Sequence, residues 1–407
     1  MIPPGADTVV VRYGEIGVKS PKVKIGMEKK LRRNLEEILA AREIEGEVER
    51  EWSRLFIRAD EADIDRATDA ATDTFGVVSA SPSVTVPPDL SSITQTLASI
   101  AREAYTGGTF AVRARRAGKK EEHPFNSKDI EEEGGAAIWG EVEDEFEPEV
   151  DLNDPDLEFF VECREDEAYV FLEKRPGPGG LPLGTQSKLV ALISGGYDSP
   201  VAAWEAMKRG CEVVPVYFDL GRYGGADHEM RAFDTIATLA EYAPGRDMRV
   251  RKVPAGDVMD RLVDHVDRGR MLVYRRFMYR VAEHVAEREN AYGIVTGESI
   301  GQKSSQTSRN LGITSRATSL PVHRPLLTYD KQDIIDKSRE IGTYAGSRID
   351  AGCNRIAPDR PETNATLDRI LEVEPDDLFE WAKEAAENVD VVELNAEPEL
   401  EERAGRA

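Results

Sequence analysis

The sequence predicts a multidomain protein of mixed class, α/β and α+β, and three observations carry that reading. Over residues 8–86, strand-like and helix-like patterns follow the order β-α-β-β-α-β, the ferredoxin-like arrangement. From residue 188 onward, apolar runs alternate with helical patterns, which marks a doubly wound parallel sheet. Between them, residues 175–187 hold a Pro- and Gly-rich stretch that reads as a linker. The expected divisions are a ferredoxin-like domain over 1–86, a second module over 87–174, the linker 175–187, a sheet domain over 188–390 and an acidic tail over 391–407.

Length and charge bound the rest. At 407 residues the chain has room for two or three cores. No run of 18 apolar residues occurs and the N-terminus lacks a signal-peptide pattern, so the expectation is a soluble cytoplasmic protein with no membrane partner. The three cysteines, Cys163, Cys211 and Cys353, are scattered, which rules out a disulfide framework or a Cys-x-x-Cys pair. The five histidines show no ligand spacing. A net charge of −24, taken as a sum, argues against a nucleic-acid partner. The acidity is nevertheless spread along the chain and the basic residues are mostly Arg, a composition like that of proteins from high-salt cytoplasm. Short screening lengths there leave local basic clusters to decide binding. Loss of stability in dilute buffer would bear out salt adaptation, and unchanged stability would refute it.

The run at 8–13 is rich in β-branched residues and ends at Gly14, hence a strand. Leu31, Leu35, Ile38 and Leu39 recur at helical spacing, so 23–41 reads as an amphipathic helix. Strands near Val48 and at 55–57, a helix over 64–75 and a strand over 77–86 complete this domain, whose fold alone says nothing of function. In the second module, a helix carrying Ile93, Leu97 and Ile100 leads into a strand at 109–116. Alternation there puts Phe110 and Val112 on one face, Arg113 and Arg115 on the other. With Arg116, Lys119 and Lys120 this is the chain's best candidate for a phosphate-backbone contact, and equally a solvated strand face. A helix with Ser127 as N-cap and strands at 159–163 and 168–172 close the module. Cys163 and Cys211 fall in strands as small buried residues.

In the sheet domain, strands at 189–193, 211–220, 248–253 and 293–296 alternate with helices near 204–208, 232–242 and 271–287. Ligands of such sheets sit at the C-terminal strand ends, here Leu192-Ile193, Tyr217-Phe218 and Thr296-Gly297. The first end runs into Ser-Gly-Gly-Tyr-Asp-Ser at 194–199, and Pro200 then opens a helical pattern. Converging N–H groups of Gly195 and Gly196, with the positive end of the helix, make a phosphate nest. Gly-Gly alone also fits an ordinary βα turn. Asp198 tips the reading, because a carboxylate beside a phosphate is favourable when a divalent cation such as Mg²⁺ bridges the two. The Walker A spacing fails, since no Lys-Ser/Thr pair follows the glycines.

Ser194, Gly195, Gly196, Tyr197, Asp198 and Ser199 resemble the PP-loop of ATP pyrophosphatases, and the middle module resembles a THUMP domain, an RNA-binding module of tRNA- and rRNA-modifying enzymes. Three more blocks follow: Gly-Glu-Ser-Ile-Gly-Gln-Lys-Ser-Ser-Gln at 297–306, Arg-Pro-Leu-Leu-Thr-Tyr-Asp-Lys at 324–331 and Ala-Gly-Cys-Asn-Arg-Ile-Ala-Pro at 351–358. In this order they resemble the ThiI family of tRNA uridine 4-sulfurtransferases, over nearly the whole chain. The resemblance implies ATP-dependent thiolation of a tRNA uridine, at position 8, to 4-thiouridine. The uracil C4 oxygen is adenylated with loss of pyrophosphate, and sulfur then displaces AMP.

By the same resemblance, Leu192, Ile193, the loop 194–199, Tyr217, Phe218, Arg275, Gly297 and Gln306 would line the ATP pocket, with Asp198 acting through Mg²⁺. Lys331 would offset charge on the α-phosphate. Read without the resemblance, Lys331 is a solvated helix-start lysine and Arg275 a helix-face charge. Cys353 is by itself a small residue in a polar loop; its place in the family block implies the sulfur-transfer role. The chain shows neither the rhodanese domain nor the Cys-x-x-Cys pair of some members, so an external sulfur donor is expected, a persulfide carrier or free sulfide. The family also suggests a homodimer. Competing readings are a PP-loop ligase acting on a small molecule, sulfur supply for the thiamine thiazole, and a non-catalytic RNA-binding protein.

Overall fold

The structure, a computed structural model, describes residues 1–51, 54–117, 123–344, 356–358 and 360–394. They fall into two compact units, Met1–Pro182 and Leu183–Ala407.

In the first unit, β1 (Thr8–Tyr13), β2 (Glu47–Glu51), β3 (Arg54–Arg58), β4 (Val77–Val86), β5 (Thr109–Arg116), β6 (Glu149–Val150), β7 (Leu157–Cys163) and β8 (Ala168–Phe171) make one sheet. Its order is β2-β3-β1-β4-β8-β7-β5-β6, with β9 (Arg175–Pro176) beside β4. The long strand β4 joins two halves. Its first part pairs with β1, and Val84, Thr85 and Val86 pair with β8. Strand alternation sorts the faces. Val9 and Val11 point into a core with Leu31, Leu35 and Ile38 of helix Pro21–Ala41, whereas Val10 lies on the other face with Phe56 and Tyr169. Those two rings stack at 4.7 Å. Helices Leu90–Ala104 and Ser127–Val142 supply Ile93, Leu97 and Ile130 to the second half's core.

One cap differs from expectation. Asn126, not Ser127, caps helix Ser127–Val142, accepting from Lys128 N at 2.8 Å while Asp129 accepts from Asn126 N at 2.7 Å. Ser127 Oγ instead accepts from Arg116 N at 3.0 Å.

In the second unit, β10 (Lys188–Leu192), β11 (Val213–Asp219), β12 (Val250–Pro254), β13 (Ala291–Val295), β14 (Val322–His323) and β15 (Asp390–Val392) are ordered β14-β13-β10-β11-β12-β15. All neighbours are parallel except β15, an antiparallel edge strand on β12. The chain steps outward from β10 to β12, then returns to the other side of β10 for β13. That reversal is the switch point at which a doubly wound sheet opens a crevice. Val190, Val216, Ile294, Phe277 and Val281 are fully buried around it.

Cys163 is buried, and burial pushes its thiol up to about 11. Cys211 sits just ahead of β11 rather than within it, is half-buried, and is also pushed up by burial. Neither is a thiolate at neutral pH. No described helix is long and apolar enough to cross a membrane.

Candidate active site

A cavity of about 520 Å³ opens where β10, β11 and β13 end. The helix after β10 runs Asp198–Lys208, so Asp198 and Ser199 form its first turn, two residues earlier than a start at Pro200. Loop 194–199 is tied to itself: Ser199 Oγ accepts from Ser194 N at 2.9 Å, and Ser194 Oγ from Gly196 N at 3.4 Å. The N–H groups of a helix's first turn have no carbonyl partner within the helix, so this end favours an anion.

Leu192, Ile193, Ser194, Gly196, Tyr197, Asp198, Ser199, Tyr217, Phe218, Arg275, Gly297, Gln306 and Lys331 all line this cavity. Gly195 stands behind the lining, where an added Cβ would lie 3.1 Å from the His228 carbonyl oxygen. Gly297 comes against the loop so closely that a Cβ would lie 2.6 Å from Ser199 N. Residues over 90 apart in sequence are thereby pressed backbone to backbone.

Asp198 is half-buried and accepts from Gln302 Nε2 at 2.8 Å. Burial raises its carboxyl above the usual range, against the opposing pull of that hydrogen bond and of Lys303 and Lys331. Lys331, the first residue of helix Lys331–Glu340, is exposed at the cavity edge. Lower on the same helix, Lys337 Nζ sits 4.0 Å from the Trp204 ring centroid, which holds the helix against Asp198–Lys208.

The group that fixes Arg275 is a buried carboxylate outside the residues expected in the site. Glu298 is 5% exposed and accepts from Arg324 Nε at 2.8 Å and from Thr296 Oγ1 at 3.1 Å. Arg275 Nε stands 3.3 Å from its other oxygen, a charge contact without hydrogen-bond alignment. Burial would raise this carboxyl, but Arg275 and Arg324, helped by the Tyr279 hydroxyl, hold it below the usual range. Arg275 also donates to Ser305 O at 3.2 Å. With its amide turned to satisfy both neighbours, Gln306 accepts from Arg275 Nη2 at 3.2 Å and donates to Ser299 O at 3.0 Å. Glu298, Gln302 and Lys303 lie in the quoted block 297–306 and Arg324 in the block 324–331, which is their one sequence signal.

Cys353 lies outside the described residues, as do Lys119 and Lys120. Ala357 and Pro361, which follow Cys353 in sequence, line the cavity. In the first unit, Arg113 is committed to Glu158 Oε1 at 2.9 Å and Leu152 O at 2.6 Å, Arg115 is exposed, and Arg116 is half-buried. Arg12, Arg54 and Arg164 stand 2.7, 3.9 and 3.6 Å from one buried carboxylate, Glu162. Three guanidinium groups thus surround a single negative charge, which leaves local positive excess in an acidic chain.

The chain has clear relatives. Residues 184–378 match the family model described as "Thiamine biosynthesis protein (ThiI)", residues 8–81 the ThiI ferredoxin-like domain and residues 88–173 the THUMP domain. A "Probable tRNA sulfurtransferase" of Halobacterium salinarum is 57% identical over 97% of this chain and 99% of its own length. One of the same name from Methanosarcina mazei is 41% identical over 95% of this chain and 96% of its own. Among solved structures, a 4-thiouridine synthetase in complex with RNA and bound ATP aligns with a TM-score of 0.83 and 32% identity. That alignment covers 95% of this chain and 100% of the other.

Proposed function

This chain belongs to the ThiI family, and from that premise we propose that it is a tRNA sulfurtransferase whose cavity adenylates a uridine and passes it to sulfur. The observation that carries the reading is the convergence of loop 194–199, Asp198, Arg275 and Lys331 on one cavity at the switch point of the sheet. The lining suits ATP, with the apolar side chains of Ile193, Phe218 and Met278 for the base and the loop for the phosphates.

The uracil C4 oxygen attacks the α-phosphorus, pyrophosphate departs with the electrons of the broken P–O bond, and N3 loses its proton. Lys331 at the cavity edge offsets charge on the α-phosphate, and Arg275, braced by Glu298, presents a second fixed cation. A sulfur nucleophile then attacks C4, and AMP leaves with the C–O electrons. With sulfide the reaction ends there. With a persulfide, the terminal sulfur forms the new C–S bond and stays joined to its carrier through the persulfide's own S–S bond; a further thiol then attacks the carrier sulfur, forms a disulfide with it and releases 4-thiouridine. We assign Cys353 to this second stage from the family block it occupies.

Among the described residues no cluster of three His, Cys, Asp or Glu side chains could hold a metal alone. Mg²⁺ often binds through one carboxylate plus substrate phosphates, and Asp198, half-buried beside the loop, fits that arrangement. It would hold the ion, which supplies charge neutralisation to the leaving pyrophosphate.

The first unit is the tRNA-holding part in this reading, with the divisions 1–86, 87–174, 175–187, 188–390 and 391–407, except that Val391 and Val392, expected in the acidic tail, pair with β12 and belong to the sheet domain; uridine 8 is the target. The sulfur donor is external, and a homodimer is consistent with the family. Incubation with unmodified tRNA, labelled ATP, Mg²⁺ and sulfide or a persulfide donor tests the proposal. Expected is 4-thiouridine, with pyrophosphate release that depends on tRNA. Pyrophosphate release indifferent to tRNA would instead indicate a small-molecule ligase.

A further inference from the structure

His228 lies in the first turn of helix Ala226–Glu241 and is 3% exposed, yet it lines the cavity. Its Nδ1 stands 3.1 Å from the Tyr217 hydroxyl, while Nε2 has no hydrogen-bond partner among the described residues. A buried polar atom left without a partner is costly, and such atoms concentrate where a ligand completes them. The orphan nitrogen is also placed. Its ring neighbour Cδ2 lies 3.3 Å from where a Cβ on Gly195 would stand, so this edge of the imidazole abuts the Ser-Gly-Gly loop.

Burial, then the nearby Arg231, lower the imidazole below its ordinary range, which keeps the ring neutral. A neutral ring carries one proton. In the tautomer in which the Tyr217 hydroxyl donates to Nδ1, that proton sits on Nε2, on the ring edge that abuts the loop.

We propose that His228, through its Nε2–H, is an uncharged hydrogen-bond donor to the pyrophosphate portion of ATP held by loop 194–199. The inference rests on the adenylation reading above.

Titration calorimetry of the full chain with ATP, inorganic pyrophosphate and AMP, each with Mg²⁺, tests it. Glutamine places an amide N–H near the Nε2 position, whereas asparagine reaches only the Nδ1 position. His228→Asn should weaken pyrophosphate and ATP binding by about 10- to 100-fold, the range for a hydrogen bond to a charged group, and leave AMP within about twofold. His228→Gln should bind all three nearly as wild type does. Circular dichroism confirms that both variants are folded, and if Asn alone fails to fold, His228→Gln against His228→Leu makes the same comparison. Unchanged pyrophosphate binding in the variant without the donor, or an equal loss for AMP, overturns the assignment. Wild-type protein that binds no ATP would sink the adenylation reading itself, a separate result.

Discussion

A Cβ on Gly297 would lie 2.6 Å from the carbonyl carbon of Asp198, closer than real Cβ contacts allow. The end of β13 and the start of the phosphate-loop helix are in backbone contact, with no flexible side chain between them to yield. Gly297→Ala should therefore destabilise the protein by about 1–3 kcal/mol, the usual cost of overpacking. It should also weaken ATP binding, because Asp198 must move. Urea unfolding and calorimetry check the pair of effects, and a variant with wild-type stability would show that the contact yields cheaply.

Glu298→Gln removes the negative charge that Arg275 and Arg324 share. Leaving two mostly buried guanidinium groups unbalanced should cost about 3–5 kcal/mol at neutral pH. The folded carboxyl is held low, so its contribution is whole above the unfolded value of about 4.3 and is lost as pH falls through the lower folded value. The stability gap between wild type and variant should thus be widest at neutral pH and close in acid. A gap independent of pH would assign the loss to packing.

Asp198 has the opposite sign. Its folded carboxyl is raised, chiefly by burial, so ionising it costs stability as pH climbs through the folded value. Asp198→Asn, which cannot ionise, should raise Tm at neutral pH by about 2–4 °C. The same change should cut tRNA-dependent pyrophosphate release by about 100-fold or more. Calorimetric scans and a pyrophosphate assay would read both, and retained release would remove Asp198 from the phosphate site.

Cys353→Ser should separate the two stages. Pyrophosphate release should stay within a few-fold of wild type, while thiolation with a persulfide donor falls roughly 100-fold or more. Full thiolation by this variant would exclude Cys353 from sulfur transfer.

Arg115 is exposed beside the Glu162 cluster, whereas Arg113 is engaged by Glu158 and Leu152. Arg115→Ala should weaken tRNA binding several-fold and reduce the salt slope by about 1. Binding measured across a salt series decides, and an unchanged slope would mean that Arg115 touches no phosphate.

Much of this protein is legible in local patterns. Alternation in 8–13, the 3.6-residue spacing of Leu31, Leu35 and Ile38, and the Ser-Gly-Gly-Tyr-Asp-Ser turn each act over a few neighbouring residues, so sequence alone indicated the longer strands of both sheets and the strand ends that line the cavity, but not the two- and three-residue strands β6, β9, β14 and β15, which are too short to carry a period. The Asn126 cap escaped because Asn and Ser are both good N-caps and stood side by side. Tertiary structure alone decided that β4 carries both halves of the front sheet. It also decided that Glu298 is the counter-charge of Arg275 and Arg324, that Gly297 is pressed on Asp198, and that one nitrogen of His228 has no partner among the described residues. Those facts depend on distance and on loss of water between residues far apart in the chain, and periodicity encodes neither.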